Sequence, residues 1–244
     1  MEEFNYQQEG SLSQDYARSF IKSVYTYMFA ALSISGVVSY FIGSNAPLMD
    51  SLFQTASGGV SIFFYVVLFS PLLISFAMAG GINKFSMQTL LILFVAYAVL
   101  LGMSLSVLFI RYSIPTLGST FLLTAGSFGF MAFLGYTTKT DLTKFGSLLY
   151  MLLFGVIIAS LINMFVSSEG FDYVISLVCV FIFTGLVAYE MQMIKNMAYQ
   201  AQMDGTMRQK LALFAGFQLY LTFVNLFLSL LRLLGNRNQT NHTS

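Results

Sequence analysis

Apolar residues in this chain come in long unbroken runs separated by short polar punctuation, not in alternation with polar ones. Crossing the hydrocarbon core of a bilayer takes about 20 consecutive apolar residues in a helix. Runs of that length fall at 24–43, 60–80, 87–110, 116–136, 145–166, 173–194 and 211–234. The pattern predicts seven membrane-spanning helices in an all-α bundle. A membrane barrel would need segments of about ten residues with alternating polarity, and these runs do not alternate. The expected organisation is a polar N-terminal tail (1–23), a seven-helix transmembrane domain (24–234) and a polar C-terminal tail (235–244), with no separate soluble domain.

Composition agrees. Of 244 residues, 57% are hydrophobic and 9% charged, where soluble domains carry about a quarter charged residues. Mean hydropathy is +0.77. The net charge of +1 provides no basic stripe for phosphates, which excludes a nucleic-acid partner and leaves the lipid bilayer as the expected one. The N-terminus opens with Glu2 and Glu3 and lacks the basic start of a cleavable signal peptide.

Basic residues set the expected orientation. With the N-terminus in the cytoplasm, the inner segments hold Arg18, Lys22, Lys84, Lys139, Lys144, Lys195, Arg208 and Lys210, against Arg111, Arg232 and Arg237 outside. Were the last helix re-entrant, Arg232 and Arg237 would also lie inside, so the side of the C-terminus stays open. A plasma membrane is the expected location. Tryptophan is absent, leaving Tyr25, Tyr27, Tyr112, Tyr136, Tyr173 and Tyr189 as the interfacial aromatics. Small residues four apart (Ala98, Gly102 and Ser106 in helix three, Gly155 and Ala159 in helix five) mark expected close helix contacts. Pro71 should kink or break helix two unless a neighbour satisfies the carbonyl it frees.

Within the spans the polar residues are the informative ones. Glu190, in helix six, is the only acid inside a predicted span. Intramembrane acids usually face the bundle interior and mark a pathway or sensor; the plainer alternative has Glu190 pairing with Lys195 or reaching cytoplasmic water. Helix seven carries Gln218, Thr222, Asn225 and Ser229 at spacings that put all four on one stripe. That stripe either bonds to other helices or lines a wet cavity. Asn163, Thr120, Thr124 and Ser127 are candidates for the same interior. Enzyme chemistry lacks its parts. The only histidine, His242, sits in the tail, no aspartate lies in a span, helix seven has no interior lysine, and no phosphate-binding glycine loop occurs. No cofactor is expected. The lone Cys179 excludes an internal disulfide and a cysteine-based metal cluster, and it reads as a small buried hydrophobe. Two sequons, at 238–240 and 241–243, fit the glycosylation pattern weakly.

Four stretches resemble the Bax inhibitor-1 family, the transmembrane Bax-inhibitor-motif proteins, in its bacterial branch. They are 18–25 (Arg-Ser-Phe-Ile-Lys-Ser-Val-Tyr), 135–142 (Gly-Tyr-Thr-Thr-Lys-Thr-Asp-Leu), 187–195 (Val-Ala-Tyr-Glu-Met-Gln-Met-Ile-Lys) and 218–232, from Gln218 to Arg232. The resemblance implies six helices around a central seventh and a pH-sensitive calcium leak. The alternative it implies is a non-transporting regulator that binds a membrane protease or another membrane protein. Calcium enters as a transported ion alongside protons, not as a bound cofactor. Glu190, Thr222, Asn225 and Gln218 are the expected pathway or pH-sensing residues.

This chain departs from the pattern at its centre. Where the family motif in helix six reads Tyr-Asp-Thr-Gln, here it reads Tyr-Glu-Met-Gln at 189–192; the helix-seven aspartate is Thr222, and helix two lacks the arginine of some members. Two carboxylates sharing a site cannot easily both ionise. A lone Glu190 held by Thr222 or Asn225 would titrate through desolvation instead, and would make a poorer calcium site.

Overall fold

The computed structural model describes the backbone of residues 2–54, 59–200 and 205–240, and the side chains of 15–54, 59–198 and 205–235. Arg237, His242 and both sequons have side chains outside that set. Among the described residues the chain forms α1 (Glu2–Gly43), α2 (Ala46–Phe53), α3 (Ile62–Gly81), α4 (Met87–Ser106), α5 (Leu108–Arg111), α6 (Ile114–Thr137), α7 (Thr143–Val166), α8 (Glu169–Gln200) and α9 (Gly205–Thr240). Seven stretches of the described residues are long and apolar enough to cross a membrane: Asp15–Gly43, Ile62–Gly81, Met87–Arg111, Ile114–Thr137, Thr143–Val166, Glu169–Ala198 and Gly205–Gly235. The protein is an all-α, seven-span membrane bundle. Its last span is the most enclosed, with 61% of its apolar window buried against 11–39% in the other six.

Helix boundaries follow local chemistry. Asn45 caps α2, Ser61 caps α3 and Ser86 caps α4, each side-chain oxygen accepting from a backbone N–H two or three residues on. At the end of α7, Ser167 turns left-handed at φ 52, and Asn163 Oδ1 accepts from the Ser168 N–H at 3.1 Å. Asn163, half-buried, therefore helps to stop the helix.

Two boundaries differ from the run lengths. Helix α1 is continuous from Glu2, so much of the expected tail is helical. Ala17, Phe20, Val24, Met28 and Ala31 are all buried, at spacings of three and four. The buried stripe thus begins one to two turns before the apolar run does. Likewise, α9 remains helical to Thr240, beyond the last apolar residue of its run. The short α2 went unforeseen. It is amphipathic, and its Met49 and Phe53 pack with Ile42 and Val67.

The helices group into two compact units. One comprises α1–α5 with α9 up to Tyr220, the other α6–α8 with α9 from Leu221. In the first unit, the stripe Ala98, Gly102, Ser106 on α4 is buried as expected. A Cβ on Gly102 would sit 2.7 Å from the Ser35 carbonyl oxygen of α1, closer than real Cβ contacts allow. The same unit shows how α3 passes through Pro71 unbroken. Proline frees the carbonyl four residues back, that of Val67. Ser104 of α4 donates its hydroxyl to that oxygen at 3.1 Å, sharing it with the Leu100 carbonyl at the same distance, and Ser70 lies 3.5 Å from the same oxygen. Val67 is buried, so the bond spares an orphaned carbonyl in a place water does not reach.

In the second unit, the contact expected at Gly155 is not made among the described residues, while Ala159 is half-buried. Gly155 is exposed, and a Cβ there would meet nothing within 4 Å. Small residues permit close approach but do not supply the neighbour. The close approaches in this unit lie elsewhere, at Gly135 against the Ala188 backbone and at Gly146 against the Tyr189 ring. Tyr189 is accordingly a packed residue more than an interfacial one.

Candidate functional site

The site grows from these two glycine contacts. Gly135 lets α6 lie on the backbone of α8 at Ala188, two residues before Glu190. Gly146 lets α7 fit beneath Tyr189, one residue before it. Tyr150, one turn further along α7, meets Tyr189 edge to face at 6.1 Å between ring centroids. Glu190 is held between these walls with 2% of its surface exposed.

Hydroxyls from two neighbouring helices reach it. Thr222 of α9 donates its Oγ1–H to Glu190 Oε1 at 2.9 Å, and Tyr150 of α7 donates its O–H to the same oxygen at 3.3 Å. A buried carboxyl in an apolar setting needs such donors. Thr222 is itself buried, at 5%. Three helices therefore meet at a single carboxyl oxygen.

Lys195 does not turn towards this carboxyl. Its ammonium donates to the Tyr136 carbonyl at 2.7 Å and lies 5.3 Å from the centre of the Tyr136 ring. Gln192 fastens the preceding loop: its Oε1 accepts from the Leu142 N–H, and its Nε2 donates to the Thr140 carbonyl, both at 2.8 Å. The motif on α8 thus divides its labour. Glu190 faces inward, while Gln192 and Lys195 hold the α6–α7 connection.

The helix-seven stripe does not act as one surface. Thr222 reaches Glu190. Asn225 is exposed, and its Nδ2 donates to the Leu221 carbonyl at 2.9 Å. Ser229 Oγ donates to the Asn225 carbonyl at 2.7 Å. Gln218 is half-buried and belongs to the first unit. Thr120 and Thr124 on α6 are buried, and Thr124 bonds to the Thr120 carbonyl. Sequence reasoning missed Tyr150. The signal available was a tyrosine two turns inside a span, away from the interface where its hydroxyl would find water.

A sequence profile of the family described as "Inhibitor of apoptosis-promoting Bax1" matches residues 17–239. The chain belongs to the Bax inhibitor-1 family. It is similar to the inner membrane protein YbhL of Escherichia coli K12, 36% identical over 221 residues that cover 90% of this chain and 92% of YbhL. It is also 41% identical to the protein RP147 of Rickettsia prowazekii over 220 residues, 90% of each chain. A protein of Borreliella burgdorferi is 41% identical over 218 residues, 89% of this chain and 92% of the relative. These relatives are bacterial. For this Bax inhibitor-1 protein, the departure at Thr222 now has a geometry: where the resemblance implies a second acid, a hydroxyl donates to the first.

Proposed function

We propose that this Bax inhibitor-1 protein is a pH-sensitive cation leak, with calcium as the conducted ion and Glu190 as the titrating group. The observation that carries the reading is the burial of Glu190 at 2% exposure with the Thr222 hydroxyl 2.9 Å from its oxygen. Hydrogen bonds to a charged acceptor are worth about 1.5–3 kcal/mol, against about 0.5–1.5 for neutral pairs. Ionised Glu190 therefore clamps α7 and α9 to α8, and protonated Glu190 holds them less firmly. In this reading flux rises as pH falls. One carboxylate with hydroxyl donors suits a gate better than a resident calcium site, because the dication prefers 6–8 oxygen ligands. The protein acts without enzyme chemistry, and its N-terminus faces the cytoplasm.

The test is calcium flux into proteoliposomes between about pH 5 and pH 8, with Glu190→Gln beside the parent. The reading expects flux that rises at low pH in the parent and is pH-independent in the variant. An unaltered pH profile in Glu190→Gln would remove Glu190 from the mechanism. Absence of flux in both folded proteins would favour a second reading, a regulator that docks on another membrane protein. The observation behind that alternative is α7, whose apolar window is only 11% buried.

A further inference from the structure

On the second unit, away from Glu190, α7, α8 and α9 enclose a groove of about 500 Å³. Its walls are apolar, from Leu153, Val156 and Leu161 of α7 and Phe183 of α8, and it runs along α9 from Asn225 to Arg232. Seven residues of helix span about 10 Å, so the groove is a furrow of about that length lying along α9.

Two polar groups of α9 inside the furrow bond back to their own helix. The Asn225 amide donates to the Leu221 carbonyl, and the Ser229 hydroxyl donates to the Asn225 carbonyl. Such back-bonding leaves the furrow apolar in effect. Arg232 differs. It is exposed at the end of the last span and forms no ion pair with any described residue. The furrow thus presents a guanidinium at one end and mainly apolar walls along the rest, the complement of an amphiphile with an anionic head, with the Asp172 carboxylate acting on Cys179 alongside Arg232.

We propose that this furrow binds one anionic glycerophospholipid, its phosphate on Arg232 and one acyl chain lying between α7 and α9. A guanidinium suits phosphate because its planar fork offers paired N–H donors. Preference for an anionic over a zwitterionic lipid follows from charge, since a choline headgroup brings its own cation to Arg232. The proposal does not depend on the leak reading.

The test is native mass spectrometry of the full-length protein in detergent, titrated with phosphatidylglycerol or with phosphatidylcholine of identical chains. One phosphatidylglycerol should be retained in preference to phosphatidylcholine. Arg232→Gln should reduce that preference by about fivefold, the attraction of one basic residue to an anionic lipid, and Arg232→Lys should keep most of it. Val156→Phe, which fills the furrow and leaves the arginine in place, should lower retention of both lipids. Thiol labelling of Cys179, which lines the furrow, should slow when phosphatidylglycerol is added. Equal retention of the two lipids by the parent would overturn the proposal, as would an undiminished preference in folded Arg232→Gln. A dimer that protects Cys179 without lipid would assign the furrow to a second copy of the chain and overturn it equally.

Discussion

The two units of this protein each bring a hydroxyl from one helix to an oxygen buried on another, and the two oxygens differ in kind. In the first unit Ser104 donates to the Val67 carbonyl that Pro71 frees. In the second, Thr222 and Tyr150 donate to the carboxyl of Glu190. A backbone carbonyl keeps the same charge at every pH, so the first arrangement only keeps α3 seated on α4. A carboxyl can gain or lose a proton, so on the proposed reading the second arrangement changes strength with pH. The same hydrogen-bonding device is structural where the acceptor is fixed and responsive where the acceptor titrates.

The comparison can be broken most severely at the seat of Glu190. Gly135→Leu drives a side chain into the Ala188 backbone, which has no flexible end to move aside. The expected cost is about 3 kcal/mol or more, the upper end of ordinary overpacking, read as a fall in the melting temperature of purified protein in detergent. Next is Thr222→Val, which keeps the shape and removes the donor to Glu190. It should cost about 1.5–3 kcal/mol where Glu190 is ionised and about 0.5–1.5 where it is protonated. The loss should therefore be larger at about pH 8 than at about pH 5. Ser104→Ala removes the matching donor in the first unit and should cost about 0.6–2 kcal/mol. That loss should be the same at both pH values, which is the contrast the comparison requires.

The smallest expected effect is at Asp141, in the connection between α6 and α7. The Thr143 hydroxyl at 2.6 Å and the Thr143 N–H at 2.9 Å donate to its carboxylate and hold its pKa below the ordinary 3.8. A depressed carboxylate contributes stability above its unfolded value and loses it as pH falls through the folded one. Asp141→Asn should thus be slightly less stable than the parent at neutral pH, with the difference shrinking as pH falls below about 3.8 and gone once pH is below the lower, folded value. A thermal-stability titration of the two proteins side by side reads this directly.

How much of this could be read from residues varies with the range of the interaction. The seven spans follow from run length because hydrocarbon demands internally bonded backbone over a fixed thickness. Pro71 identifies the carbonyl that needs rescue, since the loss is always four residues back, but the rescuer lies 37 residues away on another helix. The burial of Ala17 and Phe20 is hidden because polar neighbours break up their apolar run, although their spacing to Val24 and Met28 is helical. Spacing alone gave the same reading for Gly102 and Gly155. Only the presence of α1 opposite the former separates them. At the site, Glu190 and its threonine partner were legible as polar residues within apolar runs. Tyr150 was not, because its role depends on α7 lying against α8. Asn225 shares a stripe with Thr222, yet a step of three residues sets it about 60° aside around the helix axis, at the edge of the stripe, where it is exposed.

On the proposed reading, Glu190 changes protonation between about pH 5 and pH 8. The most direct measurement is infrared difference spectroscopy of the protein in lipid between about pH 5 and pH 8, following the carbonyl stretch of protonated carboxyls. The account predicts a buried carboxyl band that appears as pH falls, is absent in Glu190→Gln, and shifts when Thr222→Val removes a donor. A spectrum that is the same in the parent and in Glu190→Gln throughout that range would contradict it.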